Sequence, residues 1–197
     1  IDGTDKWDFN HSIDTTNLVN GLKIYYYNNY ASGIDCSSLD QATLQGTNIT
    51  AGEIGKITIA NSQNIVLENC NIANENSLGN AVSLPYSTNV TVRNLTASSN
   101  NLTVYLEQTN YSNITNITSS GFGSVYLYQS SHNFIENINT NTTGSYGYGV
   151  YLSTSSNNNT VRNNILRTSS AEGISLYTTS INNNLSNNTI TTTGFSN

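Results

Sequence analysis

One pattern recurs six times between residues 57 and 190, and it leaves the chain little choice of fold. Each copy opens on two aliphatic residues separated by one: Ile57 and Ile59, Val82 and Leu84, Val104 and Leu106, Val125 and Leu127, Val150 and Leu152, Ile174 and Leu176. Ten or eleven residues later stands another aliphatic, at Leu67, Val92, Ile114, Ile135, Val161 and Leu185. Two residues beyond each of these is an asparagine: Asn69, Asn94, Asn116, Asn137, Asn163 and Asn187. Successive copies start 21 to 25 residues apart. A period of that length, built from short alternating strands, is the mark of a solenoid.

Burial explains why the copies must stack. One copy offers four or five aliphatic side chains, too few to offset the cost of ordering more than twenty residues at about 1–2 kcal/mol each. Stacked in register, each coil covers the apolar face of the next and pairs its backbone groups. Helices are disfavoured, because Asn, Ser and Thr dominate the copies and the apolar alternation has period two. The expectation is an all-β, right-handed parallel β-helix (a β-solenoid) of about six coils. At about 4.8 Å per strand step, six coils make a rod roughly 30 Å tall.

Charge and composition narrow the partners. Formal net charge is −6, with only six Lys and Arg, so the basic footprint of a nucleic-acid binder is missing. No apolar run approaches the 18 residues of a membrane-spanning helix. The chain begins at Ile1, contains no Met and opens on no signal-peptide pattern, which reads as a processed or excised piece of something longer. Its 35 asparagines suit coil corners, where the side chain tolerates left-handed backbone and bonds along a stack.

Residues 1–50 lie outside the repeat and read as an N-terminal β cap, with residues 51–197 as the β-helix. All six Asp of the chain (Asp2, Asp5, Asp8, Asp14, Asp35, Asp40) and its single tryptophan, Trp7, fall in that first segment. A solenoid needs an atypical end unit to cover its first coil; a ligand site built from the Asp cluster is the lesser reading. Asn20-Gly21 between two apolar runs predicts a hairpin. The run from His11 through the hairpin to Tyr25, Tyr26 and Tyr27, followed by coils that end in turns such as Asn187-Asn188-Thr189-Ile190, resembles the NosD-like (CASH-type) right-handed parallel β-helix family. That family includes many archaeal and bacterial surface proteins, and the resemblance implies the fold over most of the chain. Its members span sugar-binding, sugar-cleaving and purely structural proteins. Its periplasmic NosD branch is associated with copper-site maturation. Cu(I) favours Met and Cys ligands; with no Met, two Cys, and only His11 and His132, this chain does not carry that role over.

Cys36 and Cys70 flank the junction of cap and first coil. A disulfide there would suit an extracellular protein and close a loop of about 34 residues, contributing about 3–4 kcal/mol. The alternative is that Cys70 is a small buried hydrophobe. The position after the second aliphatic reads Glu68, Arg93, Thr115, Glu136, Arg162, Ser186, which predicts two ion pairs between adjacent coils, Glu68–Arg93 and Glu136–Arg162. The position between the paired aliphatics reads Thr58, Ser83, Tyr105, Tyr126, Tyr151, Ser175 and should face outward, with Tyr128 and Tyr177 two residues beyond. Two readings of these tyrosines stand: stacking that stabilises the sheet, or a flat aromatic strip for sugar rings or another protein. Long copies carry extra residues at 75–79, 144–149 and 169–173; the second of these, with Tyr146 and Tyr148, is the candidate recognition loop.

Twelve Asn-x-Ser/Thr sites occur. Asn94, Asn116 and Asn187 lie on the corner ladder with side chains expected inward, so Asn48, Asn101, Asn110 and Asn141 are the glycosylation candidates. Catalysis is not expected. No Asp follows Asp40, the later Glu are scattered in phase, and Glu68 and Glu136 share a phase roughly 14 Å apart. His132 falls at a polar corner and reads as a solvated turn residue. Neither a metal site nor a cofactor site is expected. The expected role is a non-enzymatic extracellular or cell-surface solenoid, structural or adhesive. Its partners would be other copies joined head-to-tail through an uncovered last coil, or other surface proteins. The alternative is a carbohydrate-binding module using the tyrosine strip.

Overall fold

The computed structural model describes residues 6–14, 16–19, 21–30, 32–36, 54–73, 79–143, 147–169 and 171–194. Short parallel strands lie on three faces and wind around one core. The first face is built from β2 (Leu22–Asn28), β4 (Ile54–Ala60), β6 (Val82–Pro85), the ends of β7 (Thr91–Glu107) and β8 (Asn113–Tyr128), then β10 (Val150–Ser153) and β13 (Ile174–Leu176). The second holds β3 (Ile34–Asp35), the starts of β5 (Val66–Ala73), β7, β8 and β9 (Phe134–Thr142), then β11 (Thr160–Arg162) and β14 (Asn184–Ser186). The third continues those middle strands into β12 (Ile165–Thr168) and β15 (Thr189–Thr192).

Register follows the repeat residue for residue. Ile57 pairs with Val82, Val82 with Val104, Val104 with Val125, Val125 with Val150, and Val150 with Ile174. Leu84, Leu106, Leu127 and Leu152 are each fully buried, as are Leu67, Val92, Ile114, Ile135 and Val161 on the second face. A buried Leu of this kind contributes about 1.5–3 kcal/mol relative to its exposed state.

The corners explain the asparagine content. Of the 21 described non-glycine residues with positive φ, 12 are asparagine. Asn pays the least steric penalty for the left-handed region among residues with a side chain, because its amide bonds locally. The six expected corner residues, Asn69 through Asn187, all adopt it, with φ between 52° and 58°. Their side chains point outward, not inward as expected. Asn94 donates to Asn69 at 3.1 Å and Asn116 to Asn94 at 3.3 Å, forming an exposed amide ladder. A left-handed corner throws the side chain away from the concave side, and the inward positions belong to other residues.

Those inward positions are partly polar. Ser62, Ser87, Thr109, Ser130, Ser156 and Ser180 form a column in which each hydroxyl accepts the backbone N–H of the residue one rung before, at 2.9–3.2 Å. At the next inward position the chain begins with Ile65 and Val90, changes to Ser112, and ends in Asn133, Asn159 and Asn183. The Oδ1 of Asn159 accepts the N–H of Asn133 at 2.8 Å, and its Nδ2 donates to the Ser130 carbonyl at 3.0 Å. A second such column joins Asn164 and Asn188 above Ile138. The interior therefore shifts from apolar to amide along the rod, and each buried amide is hydrogen-bonded, as burial requires.

The hairpin pairs β1 (Leu18–Val19) antiparallel with β2, and Gly21 sits at φ 79°, a conformation glycine adopts without strain; Asn20 lies outside the described residues. The expected boundary at residue 50 falls outside the described residues. Tyr25, Tyr26 and Tyr27 pair with Ile57, Thr58 and Ile59, and Ile34 with Leu67, so residues 22–36 already form a rung. Aromatic Tyr25 occupies the aliphatic slot, which hides the repeat from a search for Val and Leu. Thr58 and Ser83, expected in solvent, are 5% and 7% exposed. A 3-10 turn (Lys6–Phe9) reaches across that end of the face: Tyr26 donates its hydroxyl hydrogen to the Phe9 carbonyl at 2.5 Å, and the Phe9 ring lies 5.6 Å from Tyr86.

Two substitutions separate the two kinds of column. Leu127→Ala should lower unfolding free energy by about 2–5 kcal/mol. Asn159→Ala strands the Asn133 N–H and the Ser130 carbonyl, and should cost about 2–6 kcal/mol at about 1–3 kcal/mol per orphaned group. Urea unfolding followed by far-UV circular dichroism reads both.

Candidate functional site: a tyrosine strip

Because the register is strict, one outward position repeated on three rungs becomes a continuous surface. Tyr105 pairs with Tyr126 and Tyr126 with Tyr151 along the first face. Their ring centroids are 5.3 and 4.8 Å apart, within the range of tilted aromatic contact. Tyr148 stacks on Tyr151 at 4.7 Å and 20°, and Tyr177 stands 6.3 Å from Tyr151 on the far side. Tyr128 lies on the same face of the same strand as Tyr126, two residues on, and is half-buried. Tyr146 lies outside the described residues.

Tyr148 reaches the strip beside a close backbone approach at Gly147. A Cβ on Gly147 would fall 2.3 Å from the Phe122 carbonyl oxygen, so only glycine permits this approach. Tyr126 is fixed by a 3.0 Å hydrogen bond between its hydroxyl and that of Ser153. Burial pushes the Tyr151 phenol above its ordinary range, and the neighbouring Tyr126, Tyr148, Tyr177 and Glu172 add to the shift. The strip is thus a surface of ring faces and phenol hydroxyls, with the Glu172 carboxylate near Tyr151.

The remaining expected residues fall as follows. Cys36 and Cys70 form a disulfide with Cα atoms 4.9 Å apart, tying the rung at residues 22–36 to the next one. Both expected ion pairs are present, Arg93 to Glu68 at 2.6 Å and Arg162 to Glu136 at 3.0 Å. Arg162 also lies over the Phe134 ring at 4.5 Å, and Asn163 donates to Glu136 at 2.8 Å. Among the glycosylation candidates, Asn141 stands in solvent and Asn101 is half-buried. Asn110 is half-buried and its Oδ1 accepts the Ser131 N–H at 2.7 Å. Asn48 lies outside the described residues. His132 is an exposed corner residue at φ 59°, its ring stacked on Tyr111 at 4.9 Å.

The Asp cluster does not assemble among the described residues: Asp14 closes a local turn with Thr16 and Asn17, and Asp35 accepts from Asn69 at 3.2 Å. Nor do three or more His, Cys, Asp or Glu converge anywhere among them. One feature escaped the sequence reading, a cleft between Trp7 and the first rungs. Its amides are spread over residues 10–63, and no local spacing links them.

Fold and register define a parallel β-solenoid with one aromatic face. The family described as the right handed beta helix region matches residues 32–196, and the chain belongs to it. No curated protein and no solved structure matches the chain.

The phenols give a pH signature. Burial pushes Tyr27 up to about 12, and Tyr151 is raised as well. A raised phenol favours the protonated form in the fold, so its contribution to stability is complete below the ordinary phenol value of about 10 and is lost as pH rises beyond it. Absorbance at the phenolate band should show late-titrating tyrosines in the folded protein, with Tyr27→Phe removing one of them. Arg93→Ala, which breaks an exposed pair, should cost no more than about 1 kcal/mol in chemical unfolding.

Proposed function

We propose that this chain is a structural and adhesive β-solenoid of an extracellular or cell-surface protein, and that the tyrosine strip is its contact surface. The observation that carries the reading is the continuity of the strip: Tyr105, Tyr126, Tyr151, Tyr148 and Tyr177 form one unbroken series of ring contacts on a rigid sheet. Rings fixed in this way lose little side-chain freedom on binding; Tyr105, Tyr126, Tyr148 and Tyr151 are half-buried and Tyr177 is exposed, and contiguous aromatic surface is a mark of contact sites. The Cys36–Cys70 bond supports an oxidising, extracellular setting, as does the resemblance to NosD-like surface proteins.

The reading is non-enzymatic. Glu68 and Glu136, the two carboxylates that share a phase, are three rungs apart and each is engaged by an arginine. In the rung furthest from the hairpin, Leu176, Leu185 and Ile190 are 41–47% exposed, an apolar surface that a further strand would cover. At the opposite end, β1 occupies part of the β2 edge, which blunts that edge against an incoming strand.

A second reading, a carbohydrate-binding module, is favoured by the mixture of ring faces and hydroxyls on the strip, which suits sugar rings. Two measurements test these readings together. On a glycan array, binding that falls at least about tenfold in Tyr126→Ala/Tyr151→Ala, a loss of about 1.4 kcal/mol or more, would favour the module. Sedimentation velocity that shows concentration-dependent rods, reduced in the same variant, would favour adhesion between copies. Monodisperse rods at high concentration together with an empty array would overturn both.

A further inference from the structure

The tyrosine strip carries a step. The outward position that holds Tyr105, Tyr126 and Tyr151 passes to Ser175 on the next rung, where Ser175 pairs directly with Tyr151. A ring is thus followed in its column by a side chain of two heavy atoms. Two larger side chains flank Ser175 at that level. Tyr177, two residues on, sets its ring centroid 6.3 Å from that of Tyr151. Glu172, three residues earlier, is exposed. Its carbonyl accepts the Gly149 N–H at 3.4 Å, and the Gly173 carbonyl accepts the Val150 N–H at 2.8 Å, which sets Glu172 one rung beyond Tyr148. Tyr148 in turn stacks on Tyr151 at 4.7 Å.

The step therefore gathers the rings of Tyr148, Tyr151 and Tyr177 and one carboxylate. Glu172 is close enough to add to the upward push on the Tyr151 phenol, as a neighbouring negative charge must. It forms no ion pair among the described residues, and all six Lys and Arg of the chain lie among those residues. Arg93 and Arg162 are engaged by Glu68 and Glu136, and Arg167 donates to Asn139. Lys6, Lys23 and Lys56 belong to the hairpin end of the rod. No Lys or Arg of this chain offsets the charge at the step.

From this arrangement we infer that the step binds an alkylated ammonium group, such as the trimethylammonium head of choline, with the cation against the Tyr151 and Tyr177 rings and its charge offset by the Glu172 carboxylate. The inference rests on the reading of the strip as a contact surface, and it names the chemistry of what binds at one place on it. Aromatic rings attract a cation that lies within about 6 Å of their centroids. An alkylated ammonium has no N–H that needs an acceptor, so a surface of rings satisfies it. A primary ammonium is more strongly hydrated and keeps its donors. A calcium or magnesium ion calls for several oxygen ligands, where the step offers one carboxylate among the described residues. An anion would meet Glu172 and a chain of net charge −6.

Proton NMR of choline titrated with the protein tests this directly, because ring currents move the N-methyl signal. That signal should shift and saturate with a Kd on the order of 1–10 mM. The uncharged isostere 3,3-dimethylbutan-1-ol should bind at least about fivefold more weakly, since it keeps the shape and loses the charge. Glu172→Gln should weaken choline binding about threefold, the scale of an exposed charge contact, with an unchanged melting temperature. Tyr177→Ala should weaken it about threefold and Tyr151→Ala about tenfold, while Tyr151→Phe, which keeps the ring, should bind as wild type does. No saturable shift, equal binding of the uncharged isostere, or tighter binding of arginine amide than of choline overturns the inference. So does binding that both Glu172→Gln and Tyr177→Ala leave unchanged. The strip itself survives such a failure if glycan binding or rod formation still falls in Tyr126→Ala/Tyr151→Ala; that result with no choline shift in the wild type overturns the ammonium site alone.

Discussion

Everything in this molecule rests on vertical register, the hydrogen-bonded stacking of each rung directly on the one before. A parallel ladder gives every backbone group of an inner strand a partner, and it sets equivalent side chains about 4.8 Å apart. Repetition of one residue type along the axis then becomes repetition in space. Val over Val and Leu over Leu make a core; Glu beside Arg makes an ion pair; Tyr beside Tyr makes a strip. A slip of one residue would turn each column to the opposite face and lose all of these at once.

The interior shows how such a narrow rod tolerates polar residues. Corners leave backbone N–H groups pointing along the axis where no strand receives them. The inward Ser and Asn columns accept those hydrogens rung by rung, as at Ser62, Ser87 and Thr109 and again at Asn133 and Asn159. These columns are hydrogen-bonded throughout, so the desolvation of the amides is offset within the fold. The change from Ile65 and Val90 to Asn159 and Asn183 along one column marks a graded core, apolar near the disulfide and increasingly polar away from it.

The surface follows the same economy of charge. Two exposed ion pairs lie on one column, and the rest of the described exterior is largely amide, hydroxyl and aromatic. Recognition on such a surface depends on shape, ring faces and hydroxyl-matching amides, more than on long-range field.

The repeat was legible because stacking converts sequence period directly into contact: the Leu column, the left-handed Asn corners, both ion pairs and the order of tyrosines follow from spacing alone. What spacing could not carry was decided by tertiary structure. The rung at residues 22–36 was hidden because Tyr25 fills an aliphatic slot, and burial tolerates a ring where its neighbours allow one. The inward Ser and Asn columns share their residue types with exposed corners, and only the turn of the backbone tells Asn159 inside from Asn163 outside. The Trp7 cleft joins a turn outside the repeat to three rungs within it, a contact that no periodicity encodes. Sequence thus determined what repeats along the axis, because register makes it local; the fold alone decided what lies across the axis, because those contacts depend on how the chain bends.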